Sequence, residues 1–375
     1  MKIAVDCHPL KDYKAGVGHF LFEILKELIS INQKDQFYLY APSISNDLIK
    51  LSESKNVTLR ICSTFSYSSI IWGQTTLPRE VSKDCVDLLW STNHLAPIFL
   101  SKSIKNIIMV HDFVYKIQPA TLNMTRRIAL HCISKIIFRP NKSFITNSQG
   151  TKDKLKRYYN INADLVITPP LRTQLYQFNE DKISNLLLLD NLLFKKYLLF
   201  VGTLEPRKNL KSILETYQKA INLYGIDNCY PLLIVGGKGW KNGATDSILN
   251  QLFQKYPHNI LVKGYINDEE LAFYFKGARY LLYPSLYEGY GSPIAEARIN
   301  GTPIITSNFI EMIEAAENDG IFLNPNNLIN ELLPYFKIDN NHLIPCVLKK
   351  TSYPVTKDLS RKLSNLLSNF KKCSV

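Results

Sequence analysis

Short apolar runs separated by stretches with helical periodicity dominate this chain. KIAVDC at its start is a strand-type run, and the segment HFLFEILKELI that follows places apolar residues three and four apart, as an amphipathic helix requires. FYLYA, VDLLWS, IIMVHD, FITNS and LVITPP continue the series through residue 170. These runs are almost continuously apolar, the pattern of strands covered on both faces, so they predict a parallel sheet with helices on either side. Pro169-Pro170 interrupts the pattern, and residues 171–195 are leucine-rich without strand alternation. A second series then begins: YLLFVG, PLLIVGG, NILVKGY, ARYLLYPS, TPIITS and GIFLN. The pattern predicts an α/β protein of two doubly wound, Rossmann-like domains, residues 1–172 and 173–355, with a last helix in 356–375.

A chain of 375 residues fits two such domains better than one core. It holds no run of eighteen or more apolar residues, and Lys2 with Asp6 breaks any signal-peptide pattern, so the cytoplasm is the expected compartment. Seven cysteines without a C-x-x-C pair indicate neither a disulfide framework nor a zinc site, and they are expected to be free and mostly buried. The net charge of +13 is uneven: residues 1–172 hold 23 Lys and Arg against 13 Asp and Glu. Between Lys116 and Arg157 ten basic residues meet one acid, Asp153. Such a face is either a solvated helix surface or a surface for an anionic partner such as lipid headgroups. No nucleic-acid-binding pattern accompanies it. Within it, residues 122–138 read first as a packed amphipathic helix and second as a membrane-associating one.

Candidate chemistry is concentrated in the second series. In YPSLYEGYGSPIAEARINGTPIIT, Glu288 and Glu296 flank a glycine-rich turn (Gly289, Tyr290, Gly291) and a Ser292-Pro293 helix start. The spacing puts one carboxylate before the helix and the other about one turn inside it, both at the carboxyl end of a strand, where open α/β sheets bind ligands. With Ser292 as N-cap, Glu296 is out of register for a capping box, which favours a functional role. About eighty residues upstream, Gly202 closes a strand that leads into TLEPRKN, where Arg207 and Lys208 stand before a helix start and can meet a pyrophosphate. His111 lies at the end of IIMVHD, and Tyr265 follows another strand, where it either lines a base pocket or packs as an ordinary aromatic. Gly16-Val17-Gly18 invites a dinucleotide-binding reading, but Leu21 stands where a third glycine belongs and FYLYAP ends without the ribose-binding acid.

Together, E-x7-E, EPRKN, the early GVG and the HD dipeptide resemble the retaining glycosyltransferases of family 4, from residue 1 to about 325. TLEPRKN is most similar to the mannosyltransferase-like branch that builds bacterial surface polysaccharides, lipopolysaccharide among them. The resemblance implies the GT-B fold, two facing domains with an interdomain cleft, the last helix crossing back to the first domain. It also implies transfer of a hexose from a nucleotide diphosphate sugar, GDP-mannose first and UDP- or dTDP-sugars next, to a glycan or lipid-linked glycan. Carried onto this sequence, Glu288 contacts the transferred sugar and Glu296 the ribose. The backbone from Gly289 to Ser292 faces the phosphates, Gly16 and Gly18 lie against the diphosphate and acceptor, and His111 lies near the sugar. Arg207 and Lys208 stabilise the leaving diphosphate without a metal, in keeping with the lack of a D-x-D sequence, and no cofactor is implied. A peripheral position on the inner face of the cytoplasmic membrane is the expected location. Two alternatives stay open: a UDP-sugar 2-epimerase of the same architecture, and a catalytically silent nucleotide-sugar binder serving another transferase. The chain departs from the family pattern after TSN, where FIEMIEAAENDGIFLNP replaces the usual proline-glutamate-glycine stretch.

Overall fold

The computed structural model describes residues 1–12, 16–62, 68–172, 175, 182–237, 239, 243–338 and 356–372. The chain forms two compact units, Met1–Pro170 with Ser352–Val375, and Leu171–Thr351.

The first unit is built on a seven-stranded parallel sheet. Its strands are β1 (Lys2–Asp6), β2 (Gln36–Ala41), β3 (Val57–Ile61), β4 (Leu88–Ser91), β5 (Lys105–Val110), β6 (Ser143–Thr146) and β7 (Leu165–Val166), in the order β3-β2-β1-β4-β5-β6-β7. The order reverses direction between β1 and β4. Every residue of β4 is buried, as a central parallel strand covered by helices on both faces requires. β3 was not among the sequence-predicted strands. Its side chains are only half-buried and it lies at the sheet edge, so VTLRI carries little apolar signal.

The helix Gly16–Ile31 turns Phe20, Leu21, Ile24, Leu25, Leu28 and Ile29 into the core. Against it packs the helix Thr356–Lys372, which contributes Leu359, Leu363 and Leu367, four residues apart on one stripe. Ser360 Oγ donates to the Ile24 carbonyl at 3.2 Å and Ser364 Oγ to Asn32 Oδ1 at 2.7 Å, fixing the two helices in register. The last described helix thus belongs to the first unit.

The second unit carries a six-stranded parallel sheet of β8 (Leu198–Val201), β9 (Leu232–Val235), β10 (Ile260–Lys263), β11 (Tyr280–Tyr283), β12 (Ile304–Ser307) and β13 (Ile321–Leu323), ordered β10-β9-β8-β11-β12-β13. All six follow the predicted runs. β8, β9, β11 and β12 are buried along their whole length. The direction of winding reverses between β8 and β11, which are hydrogen-bonded neighbours. Loops leaving the carboxyl ends of these two strands diverge to opposite faces, so a crevice opens there by topology. TLEPRKN follows β8 and YPSLYEGYG follows β11, and the two motifs therefore meet.

The described cysteines differ from expectation. Cys7 and Cys229 are buried, but Cys85 and Cys132 are exposed and Cys62 is intermediate; all five are free thiols. Cys85 sits in a turn after a helix and Cys132 on the outward side of the helix Met124–Ile137, positions that periodicity around a single residue does not reveal. Cys346 and Cys373 lie outside the described residues.

Candidate active site

At the β8/β11 crevice, Pro206–Lys208 forms one turn of 3-10 helix after an extended Glu205. Asn209, in the left-handed conformation (φ 59°), then starts the helix Leu210–Tyr224. Its side-chain amide donates to the Pro284 carbonyl at 3.1 Å, and the Leu286 amide donates to the Arg207 carbonyl at 2.8 Å, so the two loops are fastened to each other. Gly202 at the end of β8 leaves room for the Lys208 stem, whose carbons lie from 3.6 Å of where a Cβ would stand. Gly236, at the end of β9, has φ +150°, and a Cβ there would come within 2.0 Å of the Gly202 carbonyl oxygen; only glycine fits.

The loops converge on Glu288. Lys208 Nζ donates to its Oε1 at 2.6 Å, Arg207 Nη1 donates to its Oε2, and Tyr283 Oη donates to Oε1 at 3.0 Å. Lys208 Nζ also donates to Tyr283 Oη, and the Arg207 fork reaches Glu205 through Nη2 and the Tyr287 carbonyl through Nη1 at 2.9 Å. Burial alone would raise the Glu288 carboxyl, but Arg207 and Lys208 outweigh it and hold it down at about 2, so it is ionised at neutral pH. Burial lowers the Lys208 ammonium while Glu288 pulls the other way. Three sequence-predicted residues thus form one charge network, with Lys208 and Glu288 buried and Arg207 partly so. Tyr283 and Glu205 were missed: Tyr283 read as one more apolar position of a strand, and Glu205 as part of a basic turn.

Past Glu288, the chain turns through Gly289, a buried Tyr290 and Gly291 into the helix Ser292–Ile299. Its N-cap is Gly291 in the left-handed region (φ 102°), one residue earlier than the sequence suggested. Ser292 and Pro293 are therefore the first two helical residues, Pro293 being tolerated because its missing N–H has no intrahelical partner there. The Glu296 side chain is buried and accepts from Arg172 Nη2 at 2.9 Å through Oε1. Arg172, which sequence reading also missed, donates through Nη1 to Asp268. Tyr265 is 64% exposed in the turn after β10, close enough to act electrostatically on Arg172.

In the first unit, Gly16 and Gly18 do not form a loop: both lie inside the first turns of the helix Gly16–Ile31, and Gly18 is buried. Space around Gly16 is open, with no atom within 4 Å of where a Cβ would stand. His111 follows β5 and is buried. Its Nε2 lies 2.8 Å from the Thr92 carbonyl, which can only accept, so Nε2 carries the proton and Nδ1 is the acceptor nitrogen. The ring meets Phe20 edge to face with centroids 5.4 Å apart. Burial pulls its pKa down to about 4, against the Thr92 hydrogen bond, leaving the imidazole neutral at pH 7. Among the described residues no cluster of His, Cys, Asp and Glu is placed to hold a metal ion.

Residues 191–334, which contain the whole β8/β11 crevice, match the family described as Glycosyl transferases group 1. The second unit is therefore similar to a group 1 glycosyltransferase domain. The chain is 26% identical over 345 residues to O-antigen chain mannosyltransferase B of Escherichia coli, covering 88% of each chain. It is 25% identical over 238 residues to O-antigen chain mannosyltransferase RfbU of Salmonella typhimurium, covering 64% of this chain and 61% of that one. Its fold is that of solved GT-B proteins. Sucrose-phosphate synthase from Thermosynechococcus elongatus superposes with a TM-score of 0.72 at 18% identity over the full length of both chains. WaaG, a glycosyltransferase involved in lipopolysaccharide biosynthesis, gives 0.67 at 14% identity, covering 98% of this chain and 95% of WaaG.

Proposed function

We propose that this glycosyltransferase moves a hexose, mannose from GDP-mannose in the first instance, to a hydroxyl of a glycan or lipid-linked glycan, with retention of anomeric configuration and without a required metal. The observation that carries the reading is the buried network in which Arg207 and Lys208 meet Glu288 at the winding reversal of a parallel sheet. Two fixed cations in a water-poor crevice are what a departing nucleoside diphosphate needs, because charge that develops there is stabilised without reorganisation. Glu288 pairs with both cations and Glu205 with Arg207, so two carboxylates balance the two positive charges and hold them in place.

In this reading the donor diphosphate lies against Arg207, Lys208 and the backbone entering the helix Ser292–Ile299. Glu288 accepts from hydroxyls of the transferred sugar, and Glu296 accepts from the ribose, since ionised carboxylates offer two acceptor oxygens each. His111, neutral and with Nδ1 as acceptor, receives a hydrogen bond from a sugar hydroxyl. The acceptor hydroxyl attacks from the face the diphosphate leaves, and a departing phosphate oxygen takes its proton. The mannosyl choice rests on the likeness to the O-antigen mannosyltransferases.

Among the described residues no helix is long and apolar enough to cross a membrane. Contact with a lipid-borne acceptor would fall to the helix Met124–Ile137. Leu130, Ile133 and Ile137 pack inward, while Met124 and Ile128 are more than half exposed beside Arg126, Arg127, His131 and Lys135. An open depression of about 670 Å³ adjoins it, lined by Lys116, Arg127, Ile128, His131 and Tyr158. Apolar and basic side chains on one outward face suit the inner leaflet of the cytoplasmic membrane, whose surface is anionic. A transfer assay with GDP-mannose and membrane lipid extract tests the function: mannosyl product whose formation ceases in Glu288→Gln supports it, and GDP-mannose left intact with every extract and synthetic mannoside counts against it.

A further inference from the structure

Arg172 is the second residue of the second unit, directly after Pro169-Pro170 and Leu171, and its side chain is 12% exposed. It lies between two carboxylates from separate elements: Asp268, the first residue of the helix Asp268–Gly277, and Glu296 inside the helix Ser292–Ile299. Glu296 is 124 residues away in sequence. Nothing in the periodicity of the chain requires a cation here. Two half-enclosed anions, by contrast, would repel each other without one, and Glu296 could relieve that by swinging into solvent.

We propose that Arg172 is the positioning residue for nucleotide recognition: by holding Glu296 Oε1 it aims Oε2 at the ribose diol of the donor. This deepens the reading of Glu296 given above and rests on it. The geometry supplies the reasons. Arg172 engages Oε1 only, at 2.9 Å, and no described residue hydrogen-bonds Oε2, so one carboxylate oxygen is anchored and the other is left to accept. The Glu296 backbone is anchored as well, its carbonyl accepting from Asn300 Nδ2 at 2.8 Å. The planar guanidinium serves both carboxylates at once through separate nitrogens, which a lysine ammonium cannot do in the same geometry. A pre-aimed acceptor spares the ligand the cost of ordering the side chain on binding.

The test compares GDP with 2′,3′-dideoxy-GDP by calorimetric titration of the full chain, and UDP with its dideoxy counterpart, in the natural protein and in Arg172→Gln, Arg172→Lys and Glu296→Gln. Hydrogen bonds from the diol to an aimed carboxylate predict that the natural protein prefers the ribonucleotide by roughly tenfold or more. Arg172→Gln is expected to lose most of that ratio while binding the dideoxy nucleotide as the natural protein does, and Arg172→Lys to fall between. A merely structural arginine would weaken both nucleotides together and leave the ratio alone. If Glu296→Gln loses the preference but both Arg172 variants keep it, the positioning role is overturned and the ribose assignment stands. If Glu296→Gln keeps it, or neither ribonucleotide binds, the reading of Glu296 falls and the role of Arg172 with it. Should Arg172→Gln fail to fold, the Arg172→Lys ratio decides: one equal to that of the natural protein overturns the proposal.

Discussion

Lys208 Nζ lies 2.6 Å from Glu288 Oε1, a contact between residues eighty positions apart that both loops of the crevice are built to make. It joins the only two basic residues of the TLEPRKN turn to the first carboxylate of E-x7-E, with Arg207 on the other oxygen. In the proposed function, charge compensation and donor recognition share the same atoms.

This sharing predicts a stability effect with a definite pH dependence. The Glu288 carboxyl is depressed to about 2 in the folded protein from an ordinary value of 4.5. Its contribution is fully present above the unfolded value and is lost as pH falls through the folded one. Glu288→Gln should lower stability at pH 7 by about 3 kcal/mol, since it leaves the buried Lys208 ammonium without its carboxylate and takes one of two carboxylates from the partly buried Arg207. The difference from the natural protein should shrink between about pH 5 and pH 2. Melting temperatures of both proteins across that range check it; a difference independent of pH would mean the carboxylate is not held as described.

Arg207→Ala and Lys208→Ala should each slow turnover by roughly a hundredfold, on the order of 3 kcal/mol in the barrier, as for loss of one preorganised electrostatic contact. Because both cations share Glu288, the double variant should lose less than the product of the single losses. Turnover numbers for the four proteins give the coupling directly, and strictly multiplicative losses would separate the two cations functionally.

How far these relationships were readable from the chain differs by kind. All six strands of the second sheet announced themselves as apolar runs: the four inner ones because central parallel strands bury both faces, and the edge strands Ile260–Lys263 and Ile321–Leu323 because three consecutive apolar residues survive in each. The edge strand Val57–Ile61 did not, since Thr58 and Arg60 on its half-wet surface interrupt the apolar run. The pair Glu288 and Glu296 stood out through spacing around a glycine turn, but the N-cap fell at Gly291 because its left-handed backbone, not a side-chain oxygen, ends the turn. Tyr283 and Arg172 were invisible for a different reason. Each acts through a contact made by tertiary packing, across to Lys208 from one strand and to Glu296 over 124 residues, and nothing local in the sequence marks it.

His111 offers a second pH probe. Its pKa is lowered to about 4 by burial from an ordinary 6.5, so the unfolded chain takes up a proton between those values and the folded protein does not. Its contribution to stability is present above pH 6.5 and is lost as pH falls towards 4. His111→Gln should be less acid-sensitive in that window, and should lower turnover by about tenfold, the worth of the hydrogen bond that Nδ1 accepts from a sugar hydroxyl. Thermal unfolding at pH 4 to 7, together with turnover at pH 7, checks both; equal acid sensitivity would contradict the neutral, buried ring.

On the outward face of the helix Met124–Ile137, replacing Arg126, Arg127 and Lys135 by Gln should reduce sedimentation with anionic vesicles. Ile128→Asn should reduce it in vesicles of any charge, because the apolar contribution is not electrostatic. Transfer to a soluble acceptor should not change in either variant. Sedimentation equal to that of the natural protein would leave the basic face as a solvated surface.

The central claim, that a nucleotide sugar occupies the Glu288, Arg207 and Lys208 crevice, is tested most directly by melting the full chain against GDP-, UDP-, dTDP- and ADP-sugars. A ligand at about a hundred times its dissociation constant adds roughly 2.7 kcal/mol of stability, a clear shift in melting temperature. The account predicts such a shift with one nucleotide, GDP-mannose first, and its loss in Arg207→Ala. No shift with any of the four, or a shift that Arg207→Ala leaves intact, would contradict it.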